Sequence, residues 1–374
     1  MSTENMKGVK FNNILSKILL TDNFKYQFTI PTDKSPRAMK MFDFIERKVI
    51  KMDLDAVEID RPIFIVSLPR TGSTMLQNVM CKQSNIGYFS QLMNNYYPYF
   101  APMDKMQKKF DLNFHGERFI GDSVMVDVTG PSDPIHIWNS WIRKDPFVAQ
   151  YKHYRKEDLS KDQIDEIHTS IKKALWCQGG EKNRFLIKSP GILAYLPLVN
   201  DLFPDAKFIH LIRDPRDCAN SLIKLTKKSL AQIKLISENV KDYKHAGKTP
   251  VSYPHVPNLV KYIDEFGIDD IRTAAHVCKD SIEIVEAYKA NLKSFYEVRY
   301  EDILADPENK MREILEFCEL PEPPASNKEY WDLLGGVGTV SHKNNYTDQD
   351  VVEDICSDVM QRYGYSVTED SEKA

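Results

Sequence analysis

Residues 61–82 read RPIFIVSLPRTGSTMLQNVMCK. Ile63 to Leu68 is a short apolar run that suits a buried parallel strand. Pro69 stops it. Arg70-Thr71-Gly72-Ser73-Thr74 follows, small and hydroxyl-rich around one glycine. From Met75 onward, Met75, Leu76, Val79 and Met80 recur at helical spacing. The stretch therefore reads as strand, tight loop and helix N-terminus. Free backbone N–H groups and the positive end of a helix dipole then converge on one spot, which is a site for a phosphate or a sulfate.

The loop is close to a Walker A sequence without being one. That motif requires GxxxxGK[ST]. Aligned on Gly72, its first glycine is Ser67 and its lysine is Ser73. The nearest cation is Arg70, at the start of the loop. Taken alone, the loop is compatible with anion binding and also with an ordinary hydroxylated strand-to-helix turn.

A second region lies between Arg184 and Leu225, RFLIKSPGILAYLPLVNDLFPDAKFIHLIRDPRDCANSLIKL. Phe185 to Ile187 is apolar and ends in Lys188-Ser189-Pro190. Leu193, Leu196, Leu198, Val199 and Leu202 make a helical stripe. Phe203 to Ala206 is a turn, and Lys207 to Ile212 a second buried strand ending in Arg213-Asp214-Pro215. Ala219 to Leu225 reads as the next helix. Two strands thus deliver a basic residue at a C-terminal end, where an open parallel sheet binds its ligands.

With these residues in view, the chain resembles the sulfotransferases that use 3′-phosphoadenosine 5′-phosphosulfate (PAPS). SLPRTGST is similar to their 5′-phosphosulfate loop. IKSPGIL followed by FPDAKFIHLIRDPRDCANS resembles their lysine strand and 3′-phosphate motif. Val298 to Pro321 resembles their Tyr-Glu-Asp segment with its following helix. Val340 to Tyr346 resembles their C-terminal loop over the nucleotide. All four occur in the family's order. The PR-[ST]-G-[ST]-T loop sets the chain nearer the tyrosylprotein and bacterial small-molecule branches than the cytosolic phenol branch.

The resemblance implies an α/β fold: a P-loop-like central parallel sheet, helices on both faces, and helical insertions over an acceptor site. With no internal repeat and no convincing linker, the chain reads as one domain with insertions over residues 1–374, with 1–60 as a helical N-terminal extension and 61–374 as the core. The stripes Phe11, Ile14, Leu15, Ile18, Leu19 and Met41, Phe44, Ile45, Val49, Ile50 fit such an extension, which could touch the acceptor site or a second subunit of a homodimer.

Composition is consistent with this. The chain has 374 residues, 42% hydrophobic and 28% charged, which is globular. A net charge of −4 and a pI near 6.2 argue against broad nucleic-acid binding. The six cysteines are scattered, with no CxxC and no histidine at metal spacing, and read as reduced thiols. No apolar run reaches membrane-spanning length, and MSTENMKGVKFNN lacks the apolar core of a signal peptide. The expected location is cytoplasmic, with no membrane partner.

Residues 83–183 are unusually aromatic, from Tyr88 to Phe100 and then Phe110, Phe114, Phe119, Trp138, Trp141 and Phe147. They suit either an apolar acceptor pocket or ordinary core and lid packing. Residues 158–177 read as a helix capped by Asp158 or Ser160. Residues 226 onward read as a basic, flexible stretch, followed by a long amphipathic helix (Ala274 to Asn291), a third strand (Phe295 to Tyr300), a helix over 308–318 and a mobile glycine loop over 335–338.

Sulfuryl transfer, like phosphoryl transfer, leaves little covalent work for a protein; positioning and charge stabilisation carry the rate, and no metal is needed. By resemblance, Arg70 and the N–H groups of Thr71, Gly72, Ser73, Thr74 and Met75 hold the 5′-phosphosulfate. Lys188 bridges to the transferring group. Arg213 and Ser221 hold the 3′-phosphate. Tyr300 lies near the adenine or 3′-phosphate. Ser341, Lys343 and Tyr346 close over the nucleotide. Taken singly, Arg213 could instead pair with Asp214 or Asp217, Lys188 could be a surface residue, and Tyr300 could be core.

The general base is where the resemblance runs short. Gln91 stands at the tyrosylprotein branch's glutamate, and Pro190 at the phenol branch's histidine. His115 leads the alternatives, ahead of Glu117, Asp127, Asp133 and His136, because an imidazole titrates in the right range. Three functions stay open. One is a PAPS-dependent sulfotransferase acting on a hydrophobic phenol or alcohol. The second is a relative that binds PAPS or its product 3′-phosphoadenosine 5′-phosphate (PAP) without turnover. The third is an atypical P-loop kinase.

Overall fold

The computed structural model describes residues 10–20, 35–117, 124–143, 151–180, 182–189, 191–239, 253–338 and 348–367. Eight strands run along these residues: β1 (Lys10–Phe11), β2 (Ile63–Ser67), β3 (Ile86–Gly87), β4 (Phe114–Glu117), β5 (Met125–Asp127), β6 (Arg184–Lys188), β7 (Lys207–Ile212) and β8 (Phe295–Arg299). Five of them form a parallel sheet in the order β3-β6-β2-β7-β8. The other three form a small antiparallel sheet, β1-β4-β5.

The apolar run at 63–68 makes the central strand because it can be buried on both faces. Successive side chains of a strand point to opposite sides. Phe64 and Val66 enter one core with Phe185, Ile187 and Phe208, against the helices Lys161–Gln178, Ile192–Leu202, Pro215–Asn239 and Ile271–Tyr288. Ile63 and Ile65 enter a second core with Leu186, Ile209, Leu211 and Val298, against the helices Ser73–Met80 and Pro307–Phe317. The Phe64 and Phe208 rings stack at 5.7 Å across neighbouring strands. The sheet is therefore parallel and covered by helices on both faces, as the sequence implied.

Several boundaries differ from the sequence expectation. The helix after Arg213-Asp214 runs over Pro215–Asn239, so residues 226–239 are helical rather than flexible. Pro215 begins it, and Leu222, Thr226 and Ser229 continue a buried stripe. Ser160, not Asp158, caps the helix Lys161–Gln178, accepting from the Gln163 N–H. Gly335 closes the helix Lys328–Gly335. His115 lies on strand β4, opposite Lys10 and Asp127.

Most of the aromatic residues between 88 and 141 are core. Phe89 packs edge-on against Phe100, Trp141 and Phe185. Trp138 stacks on Tyr195 at 5.7 Å. Tyr97 donates its hydroxyl to Glu166. Phe110 is exposed, and Phe119 and Phe147 lie outside the described residues.

All six cysteines are free and buried. Burial raises every thiol pKa, those of Cys318 and Cys356 to about 12. The thiolate is the reactive form. Iodoacetamide at neutral pH is therefore expected to leave the native protein unmodified and to alkylate all six cysteines after unfolding in guanidinium. Rapid labelling of any of them in the native protein, followed by mass spectrometry, would contradict this packing.

Candidate anion-binding and transfer site

Strand order decides how the basic residues are divided. β2 lies between β6 and β7, so the loop after β2 has the end of β6, with Lys188, on one side. The end of β7, with Arg213, is on the other. The loop itself is bent by two residues in the left-handed region, Arg70 at φ 74° and Gly72 at φ 87°. Glycine adopts that conformation without steric cost; Arg70 does not, so the surrounding contacts hold it. The Thr71 hydroxyl turns back to the Leu68 carbonyl at 2.9 Å and is buried.

Gly72 precedes the helix Ser73–Met80. Its carbonyl accepts from the N–H of Met75 at 2.9 Å and of Leu76 at 3.2 Å. This corrects the expected cradle: the Met75 N–H is already committed to the helix, so the open first-turn donors end at Thr74.

On the β7 side, five of the residues singled out by the sequence meet. Arg70 Nε donates to Ser221 Oγ at 2.8 Å. Arg213 Nη1 donates to the Arg70 carbonyl at 3.0 Å and its Nη2 to Asp217 at 2.9 Å. The Arg213 guanidinium lies over the Tyr300 ring, 4.9 Å from its centre. A Cβ on Gly72 would stand 2.2 Å from Tyr300 Cε2, so the ring lies directly on the loop. Burial opposes the Arg213 charge, but Cys218 and Asp217 more than offset it and raise its pKa. Arg213 Nε is buried with no hydrogen-bond partner. The pairing with Asp217 anticipated as an alternative does exist, and it leaves this donor available. Arg216 is bound to Asp214 and Glu353, and the Glu301 carboxylate accepts from the Asp214 N–H.

On the β6 side, Lys188 is buried, its side chain 5% exposed, and its Nζ is 2.9 Å from Asp133 Oδ2. It is not the surface residue allowed for by the sequence. Asp133 was one of the minor candidates for the base; the structure brings it to the lysine. His115, the leading candidate, is exposed on β4. No hydrogen bond or ion pair joins it to Lys188 or to the loop among the described residues. Ser341, Lys343, Tyr346 and Pro190 lie outside the described residues.

Sequence reasoning missed Gln77 and noted Gln91 only as standing where a family base is expected. Gln77, on the helix Ser73–Met80, donates to the Ser132 carbonyl at 3.1 Å, and Gln91 donates to the Pro131 carbonyl at 3.3 Å. Both hold the segment that carries Asp133. Nothing local in the sequence signals contacts made across 55 and 40 residues. Among the described residues, no group of His, Cys, Asp and Glu has the geometry to hold a metal ion, and no helix is long and apolar enough to cross a membrane.

Comparison with known proteins bears on this arrangement. The sulfotransferase family model matches residues 62–249 and 255–324, more than half of the chain. The omega-hydroxy-beta-dihydromenaquinone-9 sulfotransferase Stf3 of Mycobacterium tuberculosis is 23% identical over 343 residues, 83% of this chain and 77% of that protein. The crystal structure of sulfotransferase STF9 from Mycobacterium avium superposes with a TM-score of 0.56 at 12% identity, covering 95% of this chain and 87% of that one.

Proposed function

Because the chain belongs to the sulfotransferase family, we propose that it is an enzyme transferring a sulfuryl group from PAPS to the hydroxyl of a small hydrophobic acceptor. The single observation that carries this reading is the convergence of Arg70, Arg213, Ser221 and Tyr300 at the loop, with a buried Arg213 donor left unmatched. An unpaired buried donor costs about 1–3 kcal/mol. A phosphate oxygen would satisfy it.

In this reading PAPS is a substrate that brings an activated sulfuryl group on a phosphate leaving group. Arg70 and the N–H groups from Thr71 to Thr74 hold its 5′ end. Arg213 and Ser221 hold the 3′-phosphate, and Tyr300 lines the nucleotide side. Lys188 neutralises charge where the sulfuryl group moves. The tail residues Ser341, Lys343 and Tyr346 cover the nucleotide. The name of the mycobacterial relative specifies a hydroxylated menaquinone, which supports an apolar alcohol alongside a phenol as acceptor class. The reading places the chain in the cytoplasm as one domain with insertions, residues 1–60 forming an extension.

The kinase alternative is weakened by the family match and by the absence of a Walker lysine at Ser73. Thermal unfolding with PAP, ATP–magnesium and adenosine 5′-phosphosulfate separates the readings. A ligand at about 100 times its Kd adds about 2.7 kcal/mol to the folded state. PAP is expected to raise Tm by several degrees, and the two nucleotides lacking a 3′-phosphate by much less. A shift with ATP–magnesium and none with PAP would overturn the proposal.

A further inference from the structure

The Lys188–Asp133 pair leaves half of a carboxylate unused. Asp133 Oδ2 accepts from Lys188 at 2.9 Å, and Oδ1 is buried with no hydrogen-bond partner. A carboxylate oxygen accepts; it cannot donate. The group that would satisfy it is therefore an N–H or O–H donor. In a transfer reaction the donor to be expected beside the lysine is the acceptor's hydroxyl.

The segment bearing Asp133 is held firmly from three directions. Ser132 donates through both its N–H and its hydroxyl to the Phe89 carbonyl, each at 2.8 Å. Gln77, one helical turn into the helix after the anion loop, holds the Ser132 carbonyl. Gln91 holds the Pro131 carbonyl. Pro131 and Pro134 flank the pair Ser132-Asp133 and restrict its backbone. Gln91 cannot take a proton. Its amide instead fixes the segment that presents a carboxylate at Lys188.

Two further buried atoms lack partners on the same two segments: Ser189 Oγ, next to Lys188, and Trp138 Nε1, beyond Asp133. The ion pair thus joins two stretches of chain that both keep hydrogen-bonding capacity in reserve.

We propose that Asp133 is the general base of this site, taking the acceptor's hydroxyl proton on Oδ1 while Oδ2 stays on Lys188. This inference rests on the sulfotransferase reading. The acceptor oxygen bonds to sulfur as the bond between sulfur and the 5′-phosphate oxygen breaks. The electron pair of that bond leaves on the phosphate oxygen of PAP. The acceptor's proton passes to Asp133 and then to solvent.

The test is Asp133→Asn, which keeps a carbonyl for Lys188 but cannot accept the proton, assayed with PAPS on acceptors of falling acidity: 4-nitrophenol, 4-methoxyphenol and geraniol. A proton acceptor matters least where the acceptor ionises by itself. The loss is expected to be small on 4-nitrophenol and to rise to about 10²–10⁴-fold on the weaker acids. The ratio between acceptors is taken on one preparation, so it does not depend on how much of the variant folds. Asp133→Glu is expected to recover part of the lost rate, and the PAP-induced rise in Tm to persist in both variants. Equal loss on all acceptors would overturn the assignment and make Asp133 only a support for Lys188. Loss of PAP binding would overturn it too. Failure of the wild type to be stabilised by PAP, or to transfer to any of the three, would overturn the sulfotransferase reading itself, and this inference with it.

Discussion

Lys188→Ala is expected to lower sulfuryl transfer about 10²–10³-fold, the usual cost of deleting one preorganised charge donor at a transition state, while PAP affinity changes little. The two effects separate because of strand order. Lys188 ends β6, Arg213 ends β7, and β2 lies between them. In the proposed function the lysine therefore serves the transfer end of the site and not the 3′-phosphate end. The variant also leaves Asp133 without its cation, and an uncompensated, mostly buried charge destabilises the fold. Lys188→Ala combined with Asp133→Asn removes that charge. It should recover stability in guanidinium unfolding without recovering transfer. Steady-state rates and PAP titration decide the matter: a Lys188→Ala enzyme with normal turnover would remove the lysine from the mechanism.

Gly72→Ala is expected to cost about 2–5 kcal/mol of stability and at least about tenfold in PAP affinity, summing a left-handed conformation forced on alanine with overpacking against a ring. Gly72 has φ 87°, and an added Cβ would meet Tyr300 Cε2 at 2.2 Å. Moving that ring disturbs the guanidinium of Arg213 above it, and Arg213 holds the carbonyl of Arg70. Damage at one methyl group is thus passed to both basic residues. Chemical unfolding and PAP-dependent Tm shifts measure the two losses. Adding Tyr300→Ala should relieve the overpacking component and leave the conformational one, a coupling that a double-mutant cycle reads directly. A Gly72→Ala protein as stable as wild type would mean that the ring does not sit on the loop.

Some of this was legible from local pattern. The run Ile63 to Leu68, the glycine loop and the stripe from Met75 specify strand, turn and helix through contacts a few residues apart. The same holds for the strands ending in Lys188 and at Ile212. Their basic termini pointed to the ligand edge of a parallel sheet. The short strands β1, β3, β4 and β5 have two to four residues each. Such segments are too short for a periodic signal, and pairing alone makes them strands. The aromatic run from Tyr88 to Phe100 showed that something apolar was required, but not that Phe89 would be spent on Phe100, Trp141 and Phe185.

By itself, then, the sequence determined the strand–loop–helix units, the basic residues they carry and the family's motif order, because these depend on periodicity, turn chemistry and neighbours along the chain. Only the tertiary structure decided which groups share one site. Ser221 reaches Arg70 across 151 residues, and Asp133 reaches Lys188 across 55. Both pairings are made by the order in which β6, β2 and β7 associate and by the loops that Gln77, Gln91 and Ser132 hold in place. Those contacts follow from packing between distant segments, and no local spacing encodes them.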